Sequence, residues 1–143
     1  MAAGVYNILA EQGTSFSLHL RYSDSAGNYV DLSDYNARMQ VRRSPNSDNM
    51  LLYITNTGVT GGGVTGEFSS DGGILGTGGI TRNAPISGAG SLTGGLLIEV
   101  DPTTMSNCPH GNHFYDLEIV DIDSGAVVRL IEGRFTVDRE ITR

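Results

Sequence analysis

The chain has no tryptophan, no lysine and only one cysteine among its 143 residues. A single cysteine cannot form an internal disulfide, so a disulfide-stapled scaffold is excluded. No stretch approaches the roughly 18 consecutive apolar residues of a membrane-spanning helix, and residues 1–13 lack the basic and apolar regions of a secretory signal. No basic run offsets the net charge of −7, which disfavours contact with nucleic-acid phosphates. We therefore expect a soluble acidic protein with no nucleic-acid partner and no membrane contact.

Glycine, in contrast, is abundant, with 20 residues. Because glycine loses the most backbone entropy on folding, it destabilises helix interiors, and no window of the sequence shows sustained helical amphipathicity. Alternation of apolar with polar residues, or a short β-branched run, instead predicts strands. The segments with these patterns are 16–22, 37–42, 51–57, 96–100, 113–122 and 126–137.

The connections between these segments carry turn residues. Asp123, Ser124 and Gly125 predict a hairpin, residues 24–28 predict a second turn, and residues 103–107 are expected to form at most one helical turn. The length suits one domain with its own core. We therefore predict an all-β fold over residues 1–143, an antiparallel β-sandwich of the Ig-like or jelly-roll-like kind.

Residues 58–95 have a different composition, with 14 of the glycines and only three charged side chains. No phosphate-binding loop is present, since no glycine run is followed by lysine. The apolar residues that recur here would be absent from a pure linker. We predict a long Gly-rich excursion from the sandwich, with short strand fragments, that orders against a neighbouring subunit and can be deleted from a folded domain; a mobile surface loop is the alternative. Its interface candidates are Val64, Phe68, Ile74, Leu75, Ile80 and Ile86.

Cys108, His110 and His113 form the most metal-like cluster, because thiolate and imidazole are good zinc ligands. A structural zinc site needs a fourth ligand, however, and no second cysteine exists. Residues 121–132 resemble a calcium loop only superficially, since Gly125 falls one position early. We therefore predict no bound metal and no cofactor, and interpret residues 108–113 as a polar loop entering a strand.

Catalytic patterns are also incomplete. No serine lies in a G-x-S-x-G turn. Asp116 and Glu118 would share one face of a strand, as a glycosidase-like carboxylate pair would. A solvated strand face, paired across the sheet with Arg38 or Arg42, is the simpler interpretation. We therefore predict no catalytic residue and no enzymatic activity.

Four motifs flank the Gly-rich segment. They are EQG-x-x-F at 11–16, DL-x-x-Y-x-ARMQVR at 31–42, YDLEI at 115–119 and RLIEG-x-x-x-V-x-x-E-x-TR at 129–143. As a set, the motifs resemble those of small virion structural proteins of tailed bacteriophages, common in cyanophage-type genomes. They are also similar to the amino-terminal docking domain of siphophage upper baseplate proteins. The chain departs from this pattern at 58–95 and at 108–112.

The resemblance implies a non-enzymatic structural protein of the tail apparatus, at a baseplate, neck or fibre-attachment position. Its expected partners are other virion proteins and further copies of itself, in a virion assembled in the host bacterial cytoplasm. A capsid decoration protein is one alternative. A carbohydrate-binding module is another, but it would present an exposed aromatic platform, whereas the tyrosines are expected to point inward or to lie at turns. Those tyrosines are Tyr22, Tyr29, Tyr35, Tyr53 and Tyr115.

Overall fold

The described parts of the chain, residues 3–63, 66–69, 72–85 and 92–141, form eleven β-strands and one α-helix in a computed structural model. In chain order the elements are β1 (Gly4–Val5), β2 (Ile8–Glu11), β3 (Phe16–Arg21), β4 (Tyr35–Arg42), β5 (Leu52–Thr55), β6 (Gly58–Gly61), β7 (Ile74–Leu75), β8 (Gly78–Arg82), β9 (Gly95–Val100), α1 (Pro102–Ser106), β10 (Gly111–Asp121) and β11 (Val127–Asp138).

Within these ranges the strands form two sheets, packed in a sandwich-like arrangement. The larger sheet has eight strands in the order β1-β11-β10-β4-β5-β6-β7, and β2 also pairs with β11. The smaller sheet has three strands in the order β3-β9-β8. The predicted all-β sandwich is therefore confirmed.

The core lies between the two sheets, because alternate side chains of the central strands point inward. The inward residues of β4, β10 and β9 include Ala37, Met39, Val41, Leu117, Ile119, Leu96, Ile98 and Val100. Burial of one large aliphatic side chain stabilises the fold by about 1.5–3 kcal/mol. The rings of Phe16 and Phe135 meet edge to face at 5.4 Å and thereby join the smaller sheet to the larger.

All six predicted strand segments correspond to observed strands, with ends that differ by a few residues. The hairpin after β10 is also confirmed, and Gly125 lies at φ 74°, which a residue with a Cβ rarely adopts. The short helical turn appears as α1, which Asp101 caps by accepting a hydrogen bond from the backbone N–H of Thr104. No helix in the described ranges is long and apolar enough to cross a membrane.

The two amino-terminal strands, which the sequence patterns do not predict, make the larger sheet mixed rather than purely antiparallel. Strands β1 and β2 both pair in parallel with β11, Gly4 opposite Ile131 and Ile8 opposite Phe135. Because β10 occupies the other side of β11, β1 and β2 lie end to end along one edge. Two and four residues are too few for alternation to reveal a strand.

The excursion predicted for residues 58–95 is not seen, since described strands from this segment belong to both sheets. Strand β6 pairs with β5 in the larger sheet, and β8 pairs with β9 in the smaller one. Glycine permits this close packing: Gly78 lies at φ 138°, and a Cβ there would collide with the carbonyl oxygen of Glu99 on β9. The glycines therefore allow strands to enter the sandwich.

Candidate functional site

The outer face of the larger sheet carries an open groove of about 630 Å³. Its floor contains a square of four side chains from two neighbouring strands. Phe114 of β10 lies opposite Arg42 of β4, and Asp116 lies opposite Gln40. All four point away from the core, because the residues between them on each strand are buried.

An ion-pair network extends from this square. Nε of Arg38 lies 2.9 Å from Oε1 of Glu118, which confirms the predicted cross-strand pair. The guanidinium of Arg129 lies within 3.5 Å of carboxylate oxygens on Asp116, Glu118 and Glu132. The carboxylate of Glu118 is therefore held between two guanidinium groups.

Asp116 occupies a different electrostatic position from Glu118. Partial burial raises the pKa of the Asp116 carboxyl, and the nearby charge of Glu118 raises it further, against the opposing effect of Arg129. The two carboxylates are thus unequally paired, since Glu118 contacts two arginines and Asp116 only one. Asp116 remains the less completely paired acceptor.

Arg42 is held by other contacts. Its Nη2 and Nε donate to Oε1 of Gln40 at 2.8 and 3.2 Å, and its Nη1 donates to the carbonyl of Ser47. The predicted pairing of Arg42 with a carboxylate is therefore replaced by contacts with an amide and the backbone. These bonds fix the guanidinium at the end of the groove.

The cysteine and the two histidines from 108 to 113 do not form a ligand set. Cys108 and His113 are buried, while His110 is exposed. No group of three or more His, Cys, Asp or Glu residues in the described ranges is placed to hold a metal ion. Burial raises the pKa of the Cys108 thiol to about 12, so the thiolate that metals and electrophiles require is scarce at neutral pH.

His113 has a structural hydrogen bond. Its Nε2 lies 2.7 Å from the carbonyl oxygen of Pro109, so Nε2 carries the proton and donates. Its Nδ1 is buried without a partner among the described residues. Burial lowers the pKa of the imidazole, because charging it there would cost solvation.

The predicted interface residues divide into three groups. Ile74 and Leu75 are 62% and 84% exposed on β7, the edge strand. Phe68 and Ile80 are buried in the chain itself, which corrects their assignment to an intermolecular surface: Phe68 pairs with Met50 through two backbone hydrogen bonds, and Ile80 joins the core. Val64 and Ile86 lie outside the described residues.

The sequence patterns above do not predict the groove, because its aromatic residue, Phe114, is not one of the five tyrosines considered there. The sequence does indicate its position: Phe114, Asp116 and Glu118 are alternate residues of one strand, so their side chains lie on the same face of the sheet. Of the tyrosines expected to point inward or lie at turns, Tyr115 is buried and Tyr29 is exposed after the 24–28 turn.

No protein-family model and no curated protein matches this chain.

Proposed function

We propose that this chain is a non-enzymatic structural protein of a tailed-phage particle, located in the tail apparatus at a baseplate, neck or fibre-attachment position. Support comes from where the phage-like motifs lie in the fold. ARMQVR ends β4, YDLEI lies in β10, and residues 129–138 of the last motif lie in β11. These strands are neighbours in the larger sheet, so the resemblance concerns one contiguous framework.

The observation that carries an assembly role is the pair of free edges on the larger sheet. At one edge, β7 exposes Ile74 and Leu75; at the opposite edge, β1 and β2 expose Val5 and Leu9, at 77% and 68%. Neither edge has a further strand partner among the described residues. An exposed apolar edge is a template for pairing with another chain.

The partner that fits these edges best is a second copy of the chain. Because the two apolar edges lie at opposite ends of one sheet, β7 of one copy meeting β1–β2 of the next is a head-to-tail contact. Such contacts close into a ring when the rotation per copy allows it. A ring of copies suits a neck or baseplate, and the acidic surface keeps the assembly away from nucleic acid.

The contact is tested with one charged variant at each edge. Leu75→Glu and Leu9→Glu should each leave the chain monomeric, measured by light scattering on a sizing column, because every contact needs both edges intact. An equimolar mixture of the two should form a one-to-one dimer, because each variant retains one intact edge. Ile122→Glu is the control: it charges an exposed residue next to the β10–β11 hairpin and should leave assembly unchanged. A wild-type chain that stays monomeric at all concentrations would contradict the self-contact.

The position in the particle requires a separate measurement. Electron cryomicroscopy of the phage that encodes the chain should show its density in the tail apparatus. Density on the capsid lattice would instead favour a decoration protein. Absence of the chain from purified particles would overturn the virion role altogether, whatever its oligomeric state.

A further inference from the structure

The groove on the outer face of the larger sheet has the size of a small-ligand site. At about 630 Å³ it falls in the range of about 300–1,000 Å³ typical of such sites. Beside the square formed by Gln40, Arg42, Phe114 and Asp116, the lining includes Val5 and Pro45. No feature of the proposed assembly contact uses this square.

The apolar part of the groove is a flat aromatic surface. Phe114 is 37% exposed, although the strand that carries it lies in the middle of the sheet. Val5 of β1 and Pro45, which follows β4, add further apolar surface to the lining. A ring open to solvent among polar neighbours favours a ligand that has one apolar face.

The polar part offers both donors and acceptors without a net charge. The lining contains two guanidinium groups, Arg42 and Arg129, and two carboxylates, Asp116 and Glu132. Equal numbers of opposite charges give no preference for an anion or a cation. The balance therefore favours a neutral ligand that recognises its site through hydrogen bonds.

Several donors and acceptors in the groove are not used in hydrogen bonds within the described residues. Within the described residues, the amide nitrogen of Gln40 has no partner, because its contacts with Arg42 are made through Oε1. Arg42 uses three of its five N–H groups. Asp116 makes no hydrogen bond there and has one ion-pair contact, at 3.5 Å from Arg129. Hydroxyl groups suit such a mixture, since each hydroxyl both donates and accepts.

We propose that this groove binds the pyranose ring of a neutral sugar, which stacks its apolar face on Phe114 and directs its hydroxyls to Gln40, Arg42 and Asp116. The four side chains form a compact unit, because facing residues on adjacent strands lie about 5 Å apart and alternate residues on one strand about 7 Å apart. Their backbones belong to two central strands, so the platform is rigid. The four side chains do not belong to either assembly edge, although Val5 lies both in the groove lining and at the β1–β2 edge.

The test is a nuclear magnetic resonance titration of the full ¹⁵N-labelled chain. The probes are glucose, galactose, mannose and N-acetylglucosamine, followed by maltotriose and chitotriose. At least one monosaccharide should give saturable shifts confined to amides around the groove. A trisaccharide that binds more tightly than its own monosaccharide would indicate a polysaccharide as the source, and equal affinities would indicate a single terminal or free sugar.

Matched variants separate the site from non-specific contact. Phe114→Ala should weaken sugar binding by about tenfold or more, whereas Phe114→Tyr, which keeps the ring, should retain it. Tyr29→Ala removes an aromatic ring that is also exposed but lies outside the groove, and it should leave the affinity unchanged. The dispersion of each variant's spectrum reports whether the chain is folded.

Three results would overturn the proposal. The first is the absence of saturable shifts with any of the six sugars. The second is equal affinity of the wild-type chain and the Phe114→Ala variant. The third is saturation of the same amides by inorganic phosphate or free arginine without any response to sugar, which would assign the groove to an ion.

Discussion

The phenol hydroxyl of Tyr115 donates a hydrogen bond to the backbone carbonyl oxygen of Tyr6, at the break between β1 and β2. Gly133 of β11 lies between them in the register of the sheet, and a Cβ on it would crowd that same carbonyl. The bond therefore fastens the amino-terminal edge to the middle of the sheet, two strands away.

Removing that hydroxyl should loosen the edge. Tyr115→Phe keeps the buried ring and its edge-to-face contact with Phe135 but leaves the carbonyl of Tyr6 without its donor. We expect the free energy of unfolding to fall by about 0.5–1.5 kcal/mol in a urea titration. Tyr29→Phe is the control, since the Tyr29 hydroxyl has no hydrogen bond within the described ranges, and it should be neutral. Equal effects of the two changes would refute the fastening role.

Truncation of Ile80 and truncation of Leu75, both in the Gly-rich segment, should have very different effects on stability. Ile80→Ala removes a buried core side chain and should destabilise the chain by about 2–5 kcal/mol. Leu75→Ala changes an exposed side chain on β7 and should shift the unfolding midpoint little. Deletion of residues 60–90, which would remove β7 and β8, should prevent folding. A folded deletion variant would instead support an excursion that the sandwich does not need.

Replacement of Gly78 tests the close approach of β8 to β9. Gly78→Ala combines a strained φ of 138° with a collision against the backbone of Glu99. Gly58→Ala is matched for strain, at φ 153°, but a Cβ there meets nothing within 4 Å. Thermal unfolding should show a clearly larger loss for Gly78→Ala, since only this change displaces a neighbouring strand. Similar losses of thermal stability in the two variants would mean that backbone strain alone, and not the collision with β9, causes the destabilisation.

The buried imidazole of His113 predicts a dependence of stability on pH. Its pKa is lowered in the folded chain, so the unfolded chain binds the proton more readily. The free energy of unfolding should therefore fall as pH decreases below the ordinary histidine value of 6.5. Asp31 and Asp101 also have lowered pKa values, but from a starting value of 3.8, so they act at lower pH.

The measurement compares wild type with His113→Gln between about pH 7 and pH 5. Glutamine can keep a donor near the carbonyl of Pro109 but does not titrate. The variant should show a flatter pH profile than the wild type, whatever its absolute stability. Parallel profiles would show that another group causes the loss.

Local pattern was sufficient for the long strands and insufficient for the short ones. Strand β10 alternates in burial from residue 112 to residue 120, and its inward and outward faces follow directly from the sequence. Strand β7 has two residues and β8 begins with two glycines, so neither shows the alternation of apolar and polar residues that predicts a strand. Their assignment depends on the partner strand that supplies the hydrogen bonds.

The groove illustrates the same limit at the level of a site. Because side chains alternate between the two faces of a strand, Phe114 shares a face with Asp116 on β10, and Gln40 shares a face with Arg42 on β4. Only the register of β4 against β10 brings the two pairs together. The charge complementarity of Arg38 and Glu118 hinted at that register, because opposite charges favour facing positions.

The parallel pairing of β1 and β2 with β11 has a consequence for synthesis on the ribosome. Residues 8–11 leave the ribosome early, yet their hydrogen-bonding partners are residues 135–138. The first strands must therefore wait, unpaired, while more than a hundred further residues are translated. Such distant pairing slows folding, because a long loop must close before its contacts form. During that interval Ile8, which is buried in the core of the folded chain, lacks its strand partner Phe135.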